Sequence, residues 1–197
     1  MSDQKRPYRM KRRAELEEET RRRITESAVA LHERVGPAQT SVAAIAELAG
    51  VRRSTVYRHF PDEDALFAAC SSHWRALNPP PDLAAWSAIR DPHERTSTAL
   101  LELYAFYGAT HKMYESLFRD ETLVPSVAKR LVDFHAYLDA ARGVLLVGRG
   151  RTTQRTRAAL GHALAFGTWR SLTQEQGLSQ DDTVALMCRL IETVSRR

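Results

Sequence analysis

The sequence predicts an all-α fold, and three observations predict it. Apolar residues recur at spacings of three and four through nearly the whole chain. The period-two alternation of a half-buried sheet is missing. No Gly-rich loop follows a strand-like run. Within that class, a short N-terminal helical domain and a larger C-terminal one are expected. The 197 residues, 43% apolar and 27% charged, suffice for one or two domains with real cores. That balance argues against wholesale disorder.

The first helix is expected from about Ala14 to Arg34. Ile24, Ala28, Leu31 and Val35 share one face, and Glu15, Glu17, Glu18 and Glu19 fill the early turns. Gly36-Pro37 ends it. Thr40 and Ser41 are adjacent N-cap candidates for a short second helix whose stripe is Val42, Ile45, Ala46 and Ala49. Gly50 closes that helix, since glycine enters the left-handed region at little steric cost. A two-turn helix then runs from Arg52 or Arg53 to His59. Phe60 packs and Pro61-Asp62 breaks. A fourth helix carries Leu66, Phe67, Cys70, Trp74 and Leu77 inward.

Pro79-Pro80-Pro81 cannot continue a helix, so the domain junction is placed at about residues 78–91. Asp91-Pro92 caps the next helix, which is expected to break near Gly108–His111. After Pro125, residues Val127, Leu131, Phe134, Leu138, Ala141 and Leu145 keep a helical rhythm. Gly148–Thr153 is a loop. Two last helices are expected, from about Gln154 to Glu175 and from Asp181 to Val194. The resulting division is a basic flexible arm over 1–13, a helix-turn-helix domain over 14–61, a connecting helix over 62–78 and a helical domain over 79–197.

Charge is unevenly placed. Residues 1–60 hold 13 Lys/Arg against 8 Asp/Glu, a balance of 13 − 8 = +5; residues 61–197 hold 16 of each. The net +5 therefore sits in the first 60 residues, which fits a polyanion partner. No apolar run reaches the length of a membrane helix, and no apolar region follows the basic start, so neither a span nor a secretory signal is expected. The two cysteines suit a reducing, cytoplasmic setting. Cys70, His73 and Asp64 resemble a catalytic trio only in type: Cys70 lies on an apolar stripe beside Phe67 and Trp74, where a buried thiol is inert. His135 and His162 have no carboxylate at ligand spacing, so no metal site, cofactor or enzyme activity is expected.

The informative segment is Thr40–Leu66. Helix, glycine corner and helix, locked by Val42, Ile45, Ala46, Val51, Val56 and Phe60, form a helix-turn-helix plan. The second helix exposes Arg52, Arg53, Ser54, Thr55, Tyr57, Arg58 and His59. Arginine bonds guanine bidentately, and Tyr, Thr and His donate to phosphate oxygens. The run Thr40-Ser41-Val42-Ala43-Ala44-Ile45-Ala46-Glu47-Leu48-Ala49-Gly50-Val51, with Ser54-Thr55-Val56-Tyr57-Arg58-His59-Phe60 and Asp64-Ala65-Leu66, resembles the DNA-binding signature of the TetR family of bacterial transcriptional regulators.

The resemblance covers residues 17–67. It implies phosphate contacts at Thr40, Ser41, Tyr57 and His59, and base-edge approach by Arg52, Arg53, Ser54 and Thr55. Glu63 stands where the family usually has lysine, removing one phosphate contact. Ser54 stands where glycine is common, which adds a donor but limits backbone approach to the groove.

It also implies a homodimeric repressor released from a palindromic double-stranded operator by a small-molecule effector in a pocket of the C-terminal domain. Trp74, Tyr104, Tyr107, His111, Tyr114, Phe118, Phe134, His135, Phe166 and Trp169 supply aromatic walls with polar tips for such a pocket. Arg119-Asp120 reads first as a structural ion pair or helix-end cap. The dimer is expected through the last two helices, by the stripe Val184, Met187, Cys188, Ile191 and Val194 beside small Gly161, Ala165 and Gly167 and apolar Leu160, Leu164 and Leu172. Two alternatives remain: a DNA-binding protein governed by a protein partner or acting architecturally, and, with no motif in its favour, a helical enzyme.

Overall fold

A computed structural model describes residues 5–150 and 152–195. The first four residues of the expected arm, Arg151 of the expected loop and the last two residues lie outside the described residues. Among the described residues there is no β-strand. The helices are α1 (Lys5–Arg34), α2 (Val42–Leu48), α3 (Arg53–His59), α4 (Glu63–Leu77), α5 (Leu83–Ala88), α6 (Pro92–Asp120), α7 (Pro125–Leu146), α8 (Gln154–Leu164), α9 (Phe166–Arg170) and α10 (Gln180–Ser195). A 3-10 turn spans Pro37–Gln39 and a π-helical turn spans Ser171–Glu175. The chain divides into two compact units: one through Asn78 together with Glu115–Arg130, the other Pro79–Tyr114 together with the chain from Leu131 onward. The α6 and α7 helices thus each give residues to both.

In the first unit α1 packs on α2 and α4. Ile24, Ala28 and Leu31 of α1 meet Val42, Ile45 and Ala46 of α2, Val56 of α3, Phe60, and Leu66, Phe67 and Cys70 of α4 in a buried core. The start of α1 differs from expectation: Lys5–Arg13 is helical rather than a flexible arm. No breaker separates these residues from Ala14, Pro7 falls in the first turn where it removes no intrahelical bond, and Arg13 pairs with Glu17 at 3.3 Å one turn on.

The end of α6 fastens this unit. Asp120 is 2% exposed. Its carboxylate accepts the Ala38 amide at 2.9 Å and Arg119 Nε at 2.8 Å, while Arg119 Nη2 donates to the Val35 carbonyl at 3.0 Å. Burial alone would raise the Asp120 carboxyl; the bonds from Arg119 and Ala38 outweigh it and hold it below its ordinary value. The pair acts both as an ion pair and as a tie to the turn after α1. Gly36, at φ 90°, is required there by its conformation, and a Cβ would also crowd Arg119 Nη2 and the buried Asp120 carboxylate. At the start of α4, Asp64 accepts Ser126 Oγ and Lys129 Nζ, both at 3.1 Å.

The second unit departs from expectation in four places. The junction holds a helix, α5, capped by Asp82, whose side chain accepts the Ala84 amide at 2.9 Å. Trp86 of α5 is fully buried and donates to Glu102 at 2.7 Å. Next, α6 does not break at Gly108–His111: its buried stripe, Tyr104, Tyr107, Thr110, Met113 and Tyr114, runs straight across the glycine, and this burial outweighs glycine's poor helix propensity.

The helix expected from Gln154 to Glu175 is broken at Ala165, whose ψ of 135° is extended. The carbonyls released by the break find side-chain donors. Tyr104 Oη donates to Ala163 O at 2.8 Å, Tyr107 Oη to Leu164 O at 2.7 Å and Thr168 Oγ1 to His162 O at 2.6 Å. Finally, the stripe expected to join two subunits is largely used within one: Val184, Met187 and Ile191 are buried, as are Leu160 and Leu164 of α8, against which α10 packs. The apolar residues that α10 leaves outside are Leu186 and Leu190, 43% and 38% exposed.

One core group of the first unit titrates unusually. Burial lowers the His32 imidazole from 6.5 to about 4, although Asp120 opposes the shift. The ring lies 5.0 Å from that of Phe67, and its Nδ1 is 3.7 Å from Cys70 Sγ. A histidine neutral in the fold and free to charge when unfolded gives stability that is whole above pH 6.5 and is lost as pH falls toward 4. The loss amounts to roughly 3 kcal/mol. Urea unfolding of wild type and His32→Gln should show their stability difference shrinking by about that amount across this window; a pH-independent difference would contradict the assignment.

Candidate nucleic-acid interface

The α2 helix opens on Ser41, whose Oγ accepts the Ala44 amide at 3.1 Å and keeps its proton free to donate outward. Ser41 is exposed. The Thr40 hydroxyl donates to Gly36 O at 2.8 Å, so its proton is already engaged while its lone pairs are not. The close of α2 is a Schellman motif. Gly50, at φ 64°, donates to Glu47 O at 3.1 Å, and Val51 donates to Ala46 O at 2.9 Å. Those two bonds satisfy the last carbonyls of α2 and turn the chain into α3.

Only seven residues long, α3 has two distinct faces. Val56 is 1% exposed, as is Phe60 just beyond. Arg53, Ser54, Tyr57 and Arg58 are all exposed; at i, i+1, i+4 and i+5 they form one contiguous face. Arg52, the N-cap, is exposed beside them, and Thr55 is half-buried on the flank. No acidic residue interrupts positions 48–61. This face presents three guanidiniums, a phenol and a hydroxyl, a donor-rich positive surface suited to phosphates and to guanine edges.

His59 differs from its neighbours. It is half-buried, and its Nε2 is a buried nitrogen with no hydrogen-bond partner. Burial lowers its imidazole below the ordinary value, Arg58 and Arg21 lower it further, and Glu17 and Glu18 oppose them. At neutral pH the ring therefore adds no charge to the face. Glu63 is exposed in the first turn of α4, suited to the helix dipole but repelling phosphate.

Sequence reasoning missed Arg21. Its Nη1 donates to the His59 carbonyl at 2.7 Å, and its guanidinium lies 4.2 Å over the Phe60 ring. The signal was an arginine on the inward edge of α1, indistinguishable by type from its exposed neighbours Arg22 and Arg23.

Of the ten aromatic and histidine residues expected around an effector, eight lie in the second unit and seven of these converge. Tyr107 meets the rings of Tyr104, Tyr114, Phe134, Phe166 and Trp169 at centroid distances of 5.3–6.4 Å, and His111 stands 6.4 Å from Trp169. The hydroxyls of Tyr104 and Tyr107 are committed to the α8 carbonyls, and burial raises both phenols. Trp74 and Phe118 belong to the first unit, where Trp74 Nε1 donates to Glu33 at 3.1 Å. His135 is exposed on α7. The second unit also carries an open cleft of about 560 Å³ between the start of α6 and α10, with His93 Nδ1 3.1 Å from Glu192 Oε1 in its wall. Among the described residues no helix is long and apolar enough to cross a membrane, and no group of three or more His, Cys, Asp or Glu is placed to hold a metal ion.

Residues 24–70, from Ile24 of α1 to Cys70 of α4, match the family of bacterial regulatory proteins, tetR family. No curated protein sequence matches the chain. Among solved structures, a TetR-like transcriptional regulator from Rhodococcus sp. RHA1 superposes with a TM-score of 0.63 at 19% identity, covering 87% of this chain and 93% of its own. The fatty acid degradation regulator FadR from Bacillus halodurans does so with a TM-score of 0.60 at 16% identity, over 87% and 93%. These likenesses carry the fold across both units.

The His59 environment sets an observable. In an NMR titration its ring should show a midpoint below the ordinary 6.5; a midpoint above that value would mean the ring is solvated and paired with Glu17 or Glu18.

Proposed function

We propose that this chain, whose residues 24–70 match the tetR family and whose fold is shared with TetR-like regulators, is a homodimeric repressor that reads a near-palindromic operator and is released by a small-molecule effector. The observation that carries this reading is the two-sidedness of α3. One side is consumed by the core through Val56, while the other holds Arg53, Ser54, Tyr57 and Arg58 in the open. A purely structural helix of seven residues has no need of that chemistry on its solvent face.

The roles divide by reach. Arg53 and Ser54, near the start of α3, face base edges; Arg52 and Thr55 flank them. Tyr57, Arg58 and Ser41 take phosphates, which fix register without reading sequence. Thr40 serves as an acceptor and as a tie to Gly36, and His59 as a neutral edge of the helix. Two copies of α3 on a symmetric dimer would occupy successive major grooves, about 34–36 Å apart or a multiple of it. The dimer forms through the last two helices, where α10 packs on α8 and leaves the apolar residues Leu186 and Leu190 on its outer side.

The effector belongs in the second unit. Tyr114, Phe134, Phe166, Trp169 and His111 supply the walls, while Tyr104 and Tyr107 act through their rings, their hydroxyls being occupied. Such a ligand and the operator oppose each other reciprocally, with a coupling of about 1–3 kcal/mol.

Selection of bound duplexes from a random pool with the purified protein tests the reading. A dyad-symmetric motif with half-sites one helical turn or a multiple of it apart is expected; no enrichment at low salt would sink it. On the enriched duplex, Arg53→Ala should relax preference at one base position of each half-site by about 1–3 kcal/mol. An unchanged motif would remove Arg53 from the base-reading set.

A further inference from the structure

The recognition helix is poorly secured by its own sequence. With seven residues it is far below the length at which a helix is stable alone. Its N-cap, Arg52, makes no side-chain capping bond. Its end is Phe60, extended at φ −134°, which leaves the last carbonyls without intrahelical partners.

One side chain from elsewhere answers this. Arg21, on α1 and 38 residues earlier, donates to the His59 carbonyl at 2.7 Å. The same guanidinium covers the buried Phe60 ring at 4.2 Å. A cation at a helix C-terminus is favoured by the backbone dipole, a charged donor to a carbonyl is among the stronger hydrogen bonds, and a guanidinium over an aromatic face adds cation–π attraction. Three favourable terms thus meet at the C-terminal end of α3, where its own residues leave carbonyls open. The planar fork of arginine makes the bond and the stack together, which a lysine ammonium cannot reproduce.

We infer that Arg21 is a positioning residue for operator reading: it pins the C-terminal end of α3 and so fixes the height and tilt at which Arg53 and Tyr57 are presented. It acts through the helix and touches no base. This rests on the DNA-reading role proposed for α3.

Two measurements on the full-length protein test it. Amide hydrogen exchange in the absence of DNA reads the pin directly. In Arg21→Met, the Phe60 amide, bonded to Val56 O in wild type, should exchange about tenfold faster relative to the α4 amides. Arg21→Lys should restore part of that protection. Unchanged exchange would overturn the assignment.

Binding reads the consequence, using the duplex enriched by selection and a random-sequence duplex of equal length. Arg21→Met should lower the ratio of the two affinities about tenfold while leaving the salt slope unaltered. Equal losses on both duplexes, with the slope reduced by about one, would make Arg21 a phosphate contact and overturn the positioning role. Should wild type bind no duplex at all, the DNA-reading role of α3 would fall, and with it the functional half of this inference, while the exchange result still decides whether Arg21 pins the helix.

Discussion

The corner at Gly50 is the constraint on which the interface depends. A left-handed residue at this point lets the Gly50 and Val51 amides close onto the last carbonyls of α2, so α3 departs at a fixed angle. Any other exit would turn Val56 and Phe60 out of the core and Arg53 and Tyr57 into it. The packing of Val42, Ile45 and Ala46 against Ile24, Ala28 and Leu31 then holds the corner against α1. Backbone geometry decides direction, and apolar burial supplies the energy that maintains it.

The same unit is closed from a distant part of the sequence. Asp120 and Arg119 grip the backbone at Val35 and Ala38, and Ser126 and Lys129 grip Asp64 at the start of α4. Both attachments lie on the stretch Glu115–Arg130, whose flanking residues on α6 and α7 build the second unit. The covalent route between the second unit and α3 therefore runs through two helices as well as through α4. In the second unit the organising feature is a broken helix. Tyr104 and Tyr107 complete the carbonyls freed at Ala165, and the ring cluster assembles around the residues that do so.

Much of this was legible in the sequence because it was written locally. Ser41, Gly50 and Asp62 are short-range signals with one physical meaning each, and the cap, corner and α4 start fall where they point. The stripe Ile24, Ala28 and Leu31 fixed which side of α1 faces inward. What was illegible depends on partners far away in the chain. Ala165 is no helix breaker by type; the break is stabilised by hydroxyls about 60 residues earlier. Gly108 reads as a weak point, yet burial on either side carries the helix across it. The stripe Val184, Met187 and Ile191 has the same pattern whether it meets a second copy or its own protomer, and only the fold resolves which. Arg21 looks like any surface arginine until His59 and Phe60 are seen beneath it.

The central claim is that the exposed face of α3 enters the major groove, twice and symmetrically. Interference by N7 methylation of guanine on a bound duplex tests it most directly, because N7 lies on the major-groove edge that Arg53 would reach. The account predicts interference at guanines in two major-groove patches about 34–36 Å apart, or a multiple of that distance, related by a dyad. Binding that is indifferent to N7 methylation, or disturbed only by minor-groove modification, would contradict it.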